Sequence, residues 1–414
     1  MYALIAMAVA LGLLVVLMHR GVKLGRAMVL ASIALAVLLK VTPGVFWGAA
    51  VEEWRSKPLT QTTGYLLVTL TALVILVNIF GTAMKEVGVS QRLGPAIQGL
   101  FKSRRVALAA IPMMMGLLPT PGGIMLSAPM VRELGDHLGA DRSRVAAINF
   151  LFRHQWETVW PLFPSVPLIQ GMFGISAFAL VSHNIAITIA GVLGGVIFLL
   201  VSAIPKDCDK KASRGQFKKN LQSFLGAIWP IAVVAGLYAG LDLPPAVGLL
   251  LALVAFLIFN KVPIEKWAGL FKSGFEPDFA LLILGALLFK LNLQAGGAIE
   301  SVVQFLDDIN APMHVVIFIL PFMVAFLTGL TMATVAMTFP FLMGFIGTGV
   351  EAKVGLETLA FSGVICGLLL TPVHLCIVLS ASYFECSLGR LVVRLLAPAV
   401  FVAAAGVLMA LLAG

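Results

Sequence analysis

The stretch GLLPTPGGIMLSAPM, residues 116–130, packs two prolines and two glycines into five positions of an otherwise apolar run. In a soluble chain such a cluster marks a surface turn. Here its flanks hold Ala, Ile, Met, Leu and Val instead of loop residues. The backbone therefore breaks where little water can satisfy it. At membrane depth that is tolerated only where protein covers the break or a watery cavity adjoins it.

The rest of the chain agrees with a membrane setting. It has 414 residues, 60% hydrophobic and 11% charged, against roughly 25% charged in soluble domains. Apolar stretches at 2–18, 64–84, 176–203, 221–240, 243–260 and 395–413 are each candidate membrane helices. The net charge of +9 does not point to nucleic acid, because the basic residues sit in short segments between apolar runs. The N-terminal run lacks a positive leading segment and is followed by its charges, so it reads as a first span with its start outside. The four cysteines form no C-x-x-C pair and imply no disulfide framework.

The positive-inside rule sets the topology. Segments 19–26, 85–105, 132–144, 204–220, 261–278 and 384–394 hold 22 of the 28 lysines and arginines. Segments 40–62, 241–244, 295–311 and 347–357 hold only four and carry Glu52, Glu53, Glu300, Asp307, Asp308, Glu351 and Glu357, so they are assigned outside. Spans near 2–18, 27–45 and 64–84 bring the chain inside. If 106–131 then crossed the membrane, the six-positive loop 204–220 would end outside. If 106–131 enters and leaves by one side, every basic loop is inside. Its first arm, 106–118, is about 20 Å of helix against a core of about 30 Å. PTPGG is thus predicted to tip a re-entrant hairpin.

TGLTMAT, residues 328–334, interrupts a second apolar run between acidic segments, which predicts a second hairpin over 312–346 entering from the opposite side. Pro129 and Pro161 are 32 positions apart, as are Pro340 and Pro372, and both pairs are offset by 211. The expected fold is an all-α polytopic membrane protein with about ten membrane helices and two re-entrant hairpins, in two inverted-topology repeats. Residues 1–203 form the first repeat (hairpin 106–131), 204–220 a basic cytoplasmic linker and 221–414 the second (hairpin 312–346). Each hairpin precedes a span broken by proline: NFLFRHQWETVWPLFPSVPLI (149–169) and GLLLTPVHLCIVLSASYF (367–384). Broken helices offer positive N-terminal dipole ends to an anion and freed carbonyls to a cation.

The segments GLLPTPGGIMLSAPMV, FRHQWETVWPLFP and LLLTPVHLCIVLSASYF resemble an uncharacterised prokaryotic integral-membrane family. That family is itself similar to the ion-transporter superfamily of gluconate, citrate, C4-dicarboxylate and arsenite carriers and sodium/proton antiporters. The resemblance covers nearly the whole chain and implies a homodimeric elevator-type carrier in the prokaryotic cytoplasmic membrane. Superfamily members with carboxylate sites often carry a Ser-Asn-Thr signature at the hairpin tips. The tips here depart from it, which weighs against a dicarboxylate.

The expected substrate-binding residues are Thr120, Pro121, Gly122 and Gly123 at the first tip and Thr328, Gly329, Thr331 and Thr334 at the second. Arg153, His154, Thr371 and His374 join them from the broken spans. Glu157, Asn149 and Thr331 are the expected ion-coupling residues. Each has a structural alternative: Arg153 and Glu157 can pair at i, i+4, His374 can bond a freed carbonyl, and the tip threonines can cap helices. His154 and Glu157 show H-x-x-E spacing, but no second histidine or acid stands beside them in sequence, so no metal site is expected. Lys290 and Asn292 read as a span end with lysine snorkelling to the interface. Asn78 reads as a helix–helix hydrogen-bond partner.

No P-loop, H-E-x-x-H or G-x-S-x-G motif occurs, so neither an ATP motor nor an enzyme is expected. The sequence therefore points to a secondary transporter of a small anionic solute, an organic acid by resemblance, driven by sodium or protons. The alternative is a cation/proton antiporter on the same fold, with a membrane enzyme or lipid-handling protein further behind. No cofactor is expected beyond the coupling ion. Expected partners are the solute, lipid and a second copy, with no nucleic acid, and both termini lie outside.

Overall fold

A computed structural model describes residues 2–101, 103–117, 123–202, 204 and 214–413. Among them the chain is helical throughout. The first half runs α1 (Tyr2–His19), α2 (Leu24–Leu38), α3 (Pro43–Ser56), α4 (Thr63–Glu86), α5 (Val89–Leu100), α6 (Arg104–Met115), α7 (Ile124–His137), α8 (Arg142–Arg153), α9 (Ser165–Phe173) and α10 (Ala177–Gly195). The second runs α11 (Arg214–Leu241), α12 (Pro245–Phe259), α13 (Ile264–Ser273), α14 (Pro277–Ala295), α15 (Ala298–Asp308), α16 (Met313–Thr328), α17 (Thr331–Ile346), α18 (Val354–Leu370), α19 (Leu375–Tyr383) and α20 (Leu388–Ala413).

Seven helices among the described residues are long and apolar enough to cross a membrane, or eight if the bent pair α2–α3 counts as one span. The chain is an integral membrane protein. The count falls short of ten partly because α12 has 15 residues, about 22 Å of helix, and because α8–α9 is interrupted.

The span expected over 27–45 ends early. Pro43 cannot continue a helix from its N-terminal side, so Thr42 leaves helical geometry and its hydroxyl accepts from the Val45 N–H at 3.4 Å. The chain turns by 107° into α3. That helix carries exposed Trp47 and Trp54, the amphipathic type favoured at a membrane–water boundary.

The core is built around the two broken spans. In α8 every residue from Val145 to Arg153 is buried, and in α18 every residue from Gly355 to Leu369. A helix apolar on all faces belongs in an interior. α18 packs between α16 and α20. Gly363 and Gly367, one turn apart, lie against the backbone carbonyls of Phe318 and Phe322, where a methyl group would clash. Small residues let membrane helices approach this closely. Asn78 does bond across helices, donating Nδ2–H to the Gly274 carbonyl at 3.4 Å.

Two expectations about charged residues need correction. Lys290 does not snorkel: it is 1% exposed and bonds Glu53 of α3 at 2.6 Å. Glu357 does not lie in an outside loop. It sits in the first turn of α18, fully buried, and accepts from Asn184 Nδ2 at 3.4 Å.

At the surface, Glu385 in the α19–α20 turn pairs with Arg132 of α7 at 3.3 Å and with Arg142 of α8. Hydrogen bonds from Arg142 and Arg132 hold its carboxyl below the ordinary value. Asp141 is also lowered. Partial burial pushes it up, but the Ser143 hydrogen bonds and the Arg394 and Arg390 charges outweigh that.

Candidate functional site

The first broken span stops helical pairing at Arg153. A short 3₁₀ turn over His154–Trp156 follows, and regular helix resumes at Ser165. Pro161, Pro164 and Pro167 lie in or just after this break, where missing N–H groups prevent an uninterrupted ladder. The second break is shorter, Thr371–His374 around Pro372, with α19 starting at Leu375. The second hairpin breaks only at Gly329 and Leu330, so Thr331 and Thr334 lie in helix α17, not in a loop. The first tip, with Thr120, Pro121 and Gly122, lies outside the described residues; Gly123 leads into α7.

The break in α8–α9 serves the end of α6. The last carbonyls of a helix have no intrahelical donor. Trp156 Nε1–H donates to the Met113 carbonyl at 2.8 Å, Arg153 Nη1 to Met115 at 2.9 Å and Trp160 Nε1–H to Leu117 at 3.1 Å. A guanidinium at that end also complements the helix dipole. The α-helix ends at Arg153, so Glu157 follows it through a 3₁₀ turn and the two charges still attract each other.

Asn149 anchors the other arm. Its Oδ1 accepts from Ser127 Oγ at 2.6 Å, and its Nδ2 donates to the Ile124 carbonyl at 3.4 Å, tying α8 to the start of α7. Thr188 of α10 donates to the Gln155 carbonyl at 2.8 Å and so braces the break from behind.

The two halves meet at His154, Glu157, Thr331 and His374. Thr331 Oγ1 donates to Glu157 Oε2 at 2.5 Å. His374 lies across from His154, their Nε2 atoms 3.2 Å apart and their rings edge to face. Gly329 takes the left-handed conformation at φ 66° and directs its carbonyl to His374 Nδ1 at 2.6 Å. A methyl group there would strike the His374 backbone. Thr371 Oγ1 donates to the Phe326 carbonyl at 2.5 Å and accepts from the Val373 N–H at 3.2 Å. Thr328 and Thr334 donate to the Val324 and Leu330 carbonyls at 2.8 Å each and lie 3.3 Å from one another.

The fold therefore joins Arg153, His154, Glu157, Gly329, Thr331 and His374, while Asn149, Thr328, Thr334 and Thr371 hold backbone around them. Sequence reading missed Cys376, the second residue of α19, whose Sγ lies within 4.8 Å of the two imidazoles' ligand atoms. It also missed the indoles of Trp156 and Trp160. Aromatic spacing of four residues beside a break was the available signal.

An apolar cavity of about 180 Å³ lies beside the junction, lined by Asn78, Leu162, Pro164, Phe279, Leu330 and Met332. A larger one, about 280 Å³, opens near Gln61, Gln170 and Asp242. It is remote from the histidines, and Asp242 there is engaged by the Ala177 N–H at 2.6 Å and by Gln170 at 3.2 Å.

Two broken helices and the packed pairs α6–α7 and α16–α17 belong to one helical membrane fold. The fold is similar to that in "Crystal structure of the Alcanivorax borkumensis YdaH transporter reveals an unusual topology", with a TM-score of 0.57 and 14% identity over 87% of this chain and 88% of that one. The family model described as "Protein of unknown function (DUF401)" matches residues 3–413, and the chain belongs to that family. No curated protein matches it.

Proposed function

We propose that the protein is a secondary active transporter that moves a small anionic solute by alternating access, coupled to sodium or protons. The observation that carries this reading is the Glu157–Thr331 contact. It joins the break of the first half to the N-terminus of a hairpin arm of the second, at 2.5 Å and largely shielded from solvent. An ionisable residue inside a membrane domain is costly and usually functional. On this reading Glu157 and Thr331 hold the coupling ion, with Asn149 supporting them. The N-terminal ends of α17 and α19 and the Arg153 guanidinium supply positive potential for the anion. Thr120, Pro121, Gly122 and Gly123 complete the site from the first hairpin.

The element order supports two inverted repeats. Adding 211 to the first residues of α8, α9 and α10 gives 353, 376 and 388, and the counterparts α18, α19 and α20 begin at 354, 375 and 388. The cavity between α4 and α14 on one side and the α17 tip on the other is where a moving domain would slide against a scaffold. The elevator motion, a homodimer, lipid contact through the exposed apolar faces and a cytoplasmic-membrane location with both termini outside belong to the same proposal.

The alternative, a cation/proton antiporter, draws on Glu157 being the carboxylate at the junction. A thermal-shift panel on detergent-purified protein separates the two. It covers sugar acids, mono-, di- and tricarboxylates and inorganic oxyanions, with and without sodium and at two pH values. The carrier reading expects one solute class to stabilise only with the coupling ion, and Glu157→Gln to abolish the effect. Shifts with sodium or pH alone, indifferent to every solute, favour the antiporter. No shift under any condition defeats both readings.

A further inference from the structure

Both histidines at the junction have one ring nitrogen committed. His154 Nδ1 lies 2.6 Å from the Phe150 carbonyl, and His374 Nδ1 lies 2.6 Å from the Gly329 carbonyl. A carbonyl oxygen only accepts, so each Nδ1 carries the proton. In the neutral rings each Nε2 is then a bare lone pair, and the two face each other at 3.2 Å. Two facing lone pairs repel unless a cation lies between them.

The geometry points to a transition-metal site formed by His154 Nε2, His374 Nε2 and Cys376 Sγ, taking a zinc-class divalent cation. Four observations support a metal over a proton shared by the rings. A zinc ion about 2.0–2.1 Å from both nitrogens would subtend an angle of about 100° across a 3.2 Å gap, close to tetrahedral. Both rings donate their second N–H to a backbone carbonyl, the arrangement that fixes the tautomer and orientation of metal-bound histidine. The third donor is a thiol, and all three ligand atoms lie within 4.8 Å of one another. N₂S is a donor set suited to zinc, unlike the oxygen cages that suit sodium or magnesium.

Glu157 Oε1, 3.8 Å from His154 Nε2, is a carboxylate donor beside the cluster. On binding, the Cys376 thiol releases its proton to solvent and the thiolate coordinates. One thiolate and one carboxylate balance the divalent cation, and the buried Arg153 guanidinium beside them favours both anionic ligands. Because His154 comes from the first half and His374 and Cys376 from the second, the metal would pin the two broken spans together. H-x-x-E spacing alone gave no reason to expect a metal. The missing histidine arrives from 220 residues away.

Binding is tested on full-length, tag-free protein in detergent, with no transport assay required, so failure of the transport reading leaves this test intact. Zn²⁺ alone should bind at one equivalent per chain by metal analysis after desalting and raise the unfolding temperature. Co²⁺ should give tetrahedral ligand-field bands with a thiolate-to-metal charge-transfer band. Cys376→Ser should remove the charge-transfer band, and His374→Gln should weaken Zn²⁺ binding on the order of 100-fold or more, beyond the loss of a supporting partner. His183→Ala, outside the ligand cluster, should change neither. The Co²⁺ spectrum of the unaltered protein decides the matter even if a variant misfolds. An octahedral spectrum without charge transfer, or Zn²⁺ binding that survives both substitutions, overturns the site and leaves the histidines sharing a proton.

Discussion

Glu53 and Lys290 form a buried ion pair whose two halves should respond unequally to mutation. The ammonium and the carboxylate are 1% and 4% exposed in their side chains and 2.6 Å apart. Glu53 has other support: the Thr63 N–H donates to it at 2.9 Å, and Lys57, 29% exposed, lies 3.4 Å away. For Lys290 the bond seen is the one to Glu53. Glu53→Gln therefore strands a buried ammonium and should cost about 3–5 kcal/mol, the range for breaking a buried pair from one side. Lys290→Met leaves a carboxylate still bonded to an N–H and a second lysine, and should cost only about 1–3 kcal/mol. The double substitution removes both charges and should be more stable than Glu53→Gln alone by roughly 1–3 kcal/mol, a strong departure from additivity. Stability can be read by SDS titration in micelles, following tryptophan fluorescence, since Trp54 adjoins Glu53. Equal costs for the two single substitutions, or an additive double variant, would refute the reasoning.

Gly329→Ala forces a left-handed alanine against the His374 backbone; it should cost about 1–3 kcal/mol and, beyond that, abolish ligand-induced thermal shifts even where the protein stays folded. Trp156→Phe removes the indole donor to the Met113 carbonyl, which keeps the Gly116 N–H at 3.2 Å, and should cost about 0.5–1.5 kcal/mol. Hydrogen exchange should quicken in α6 more than in α16, and uniform exchange across both arms would count against the capping role. The Glu385 bridge carries a sign for pH. Its carboxyl is lowered in the folded protein from 4.5, so its contribution is fully present above about pH 4.5 and is lost as pH falls through the lowered value. Glu385→Gln should flatten that acid limb, and salt should weaken the contribution at neutral pH. An acid limb identical in the variant would rule the bridge out as its source.

Much of the architecture was readable because membranes impose simple rules. Spans announce themselves as apolar runs, and seven of the helices are long and apolar enough to cross a membrane. The prolines at 161 and 372 marked breaks because a residue without an N–H interrupts the helical ladder. Lys290 and Glu357 were misplaced for a common reason. A charge near a span end reads as surface until a partner such as Glu53 or Asn184 is known, and those lie 237 and 173 residues away. The junction had the same limit. Arg153, His154, Glu157, Thr331 and His374 were each recognisable as polar residues in apolar surroundings, but their pairing depends on how the halves meet. Cys376 passed unnoticed because a lone cysteine in a membrane helix resembles any small apolar residue.

The long separation between His154 and His374 also has a consequence for biogenesis. At about 5–20 residues per second, translation needs roughly 10–45 s to cover the 220 intervening residues. Throughout that interval the segment 153–157 must be accommodated by the insertion machinery without Thr331 or His374. The α8–α9 break can therefore settle only after α17 and α19 are made. Nascent first halves should stay crosslinkable to the insertase until ribosomes pass the end of the second broken span, making release from that machinery a late, all-or-none event.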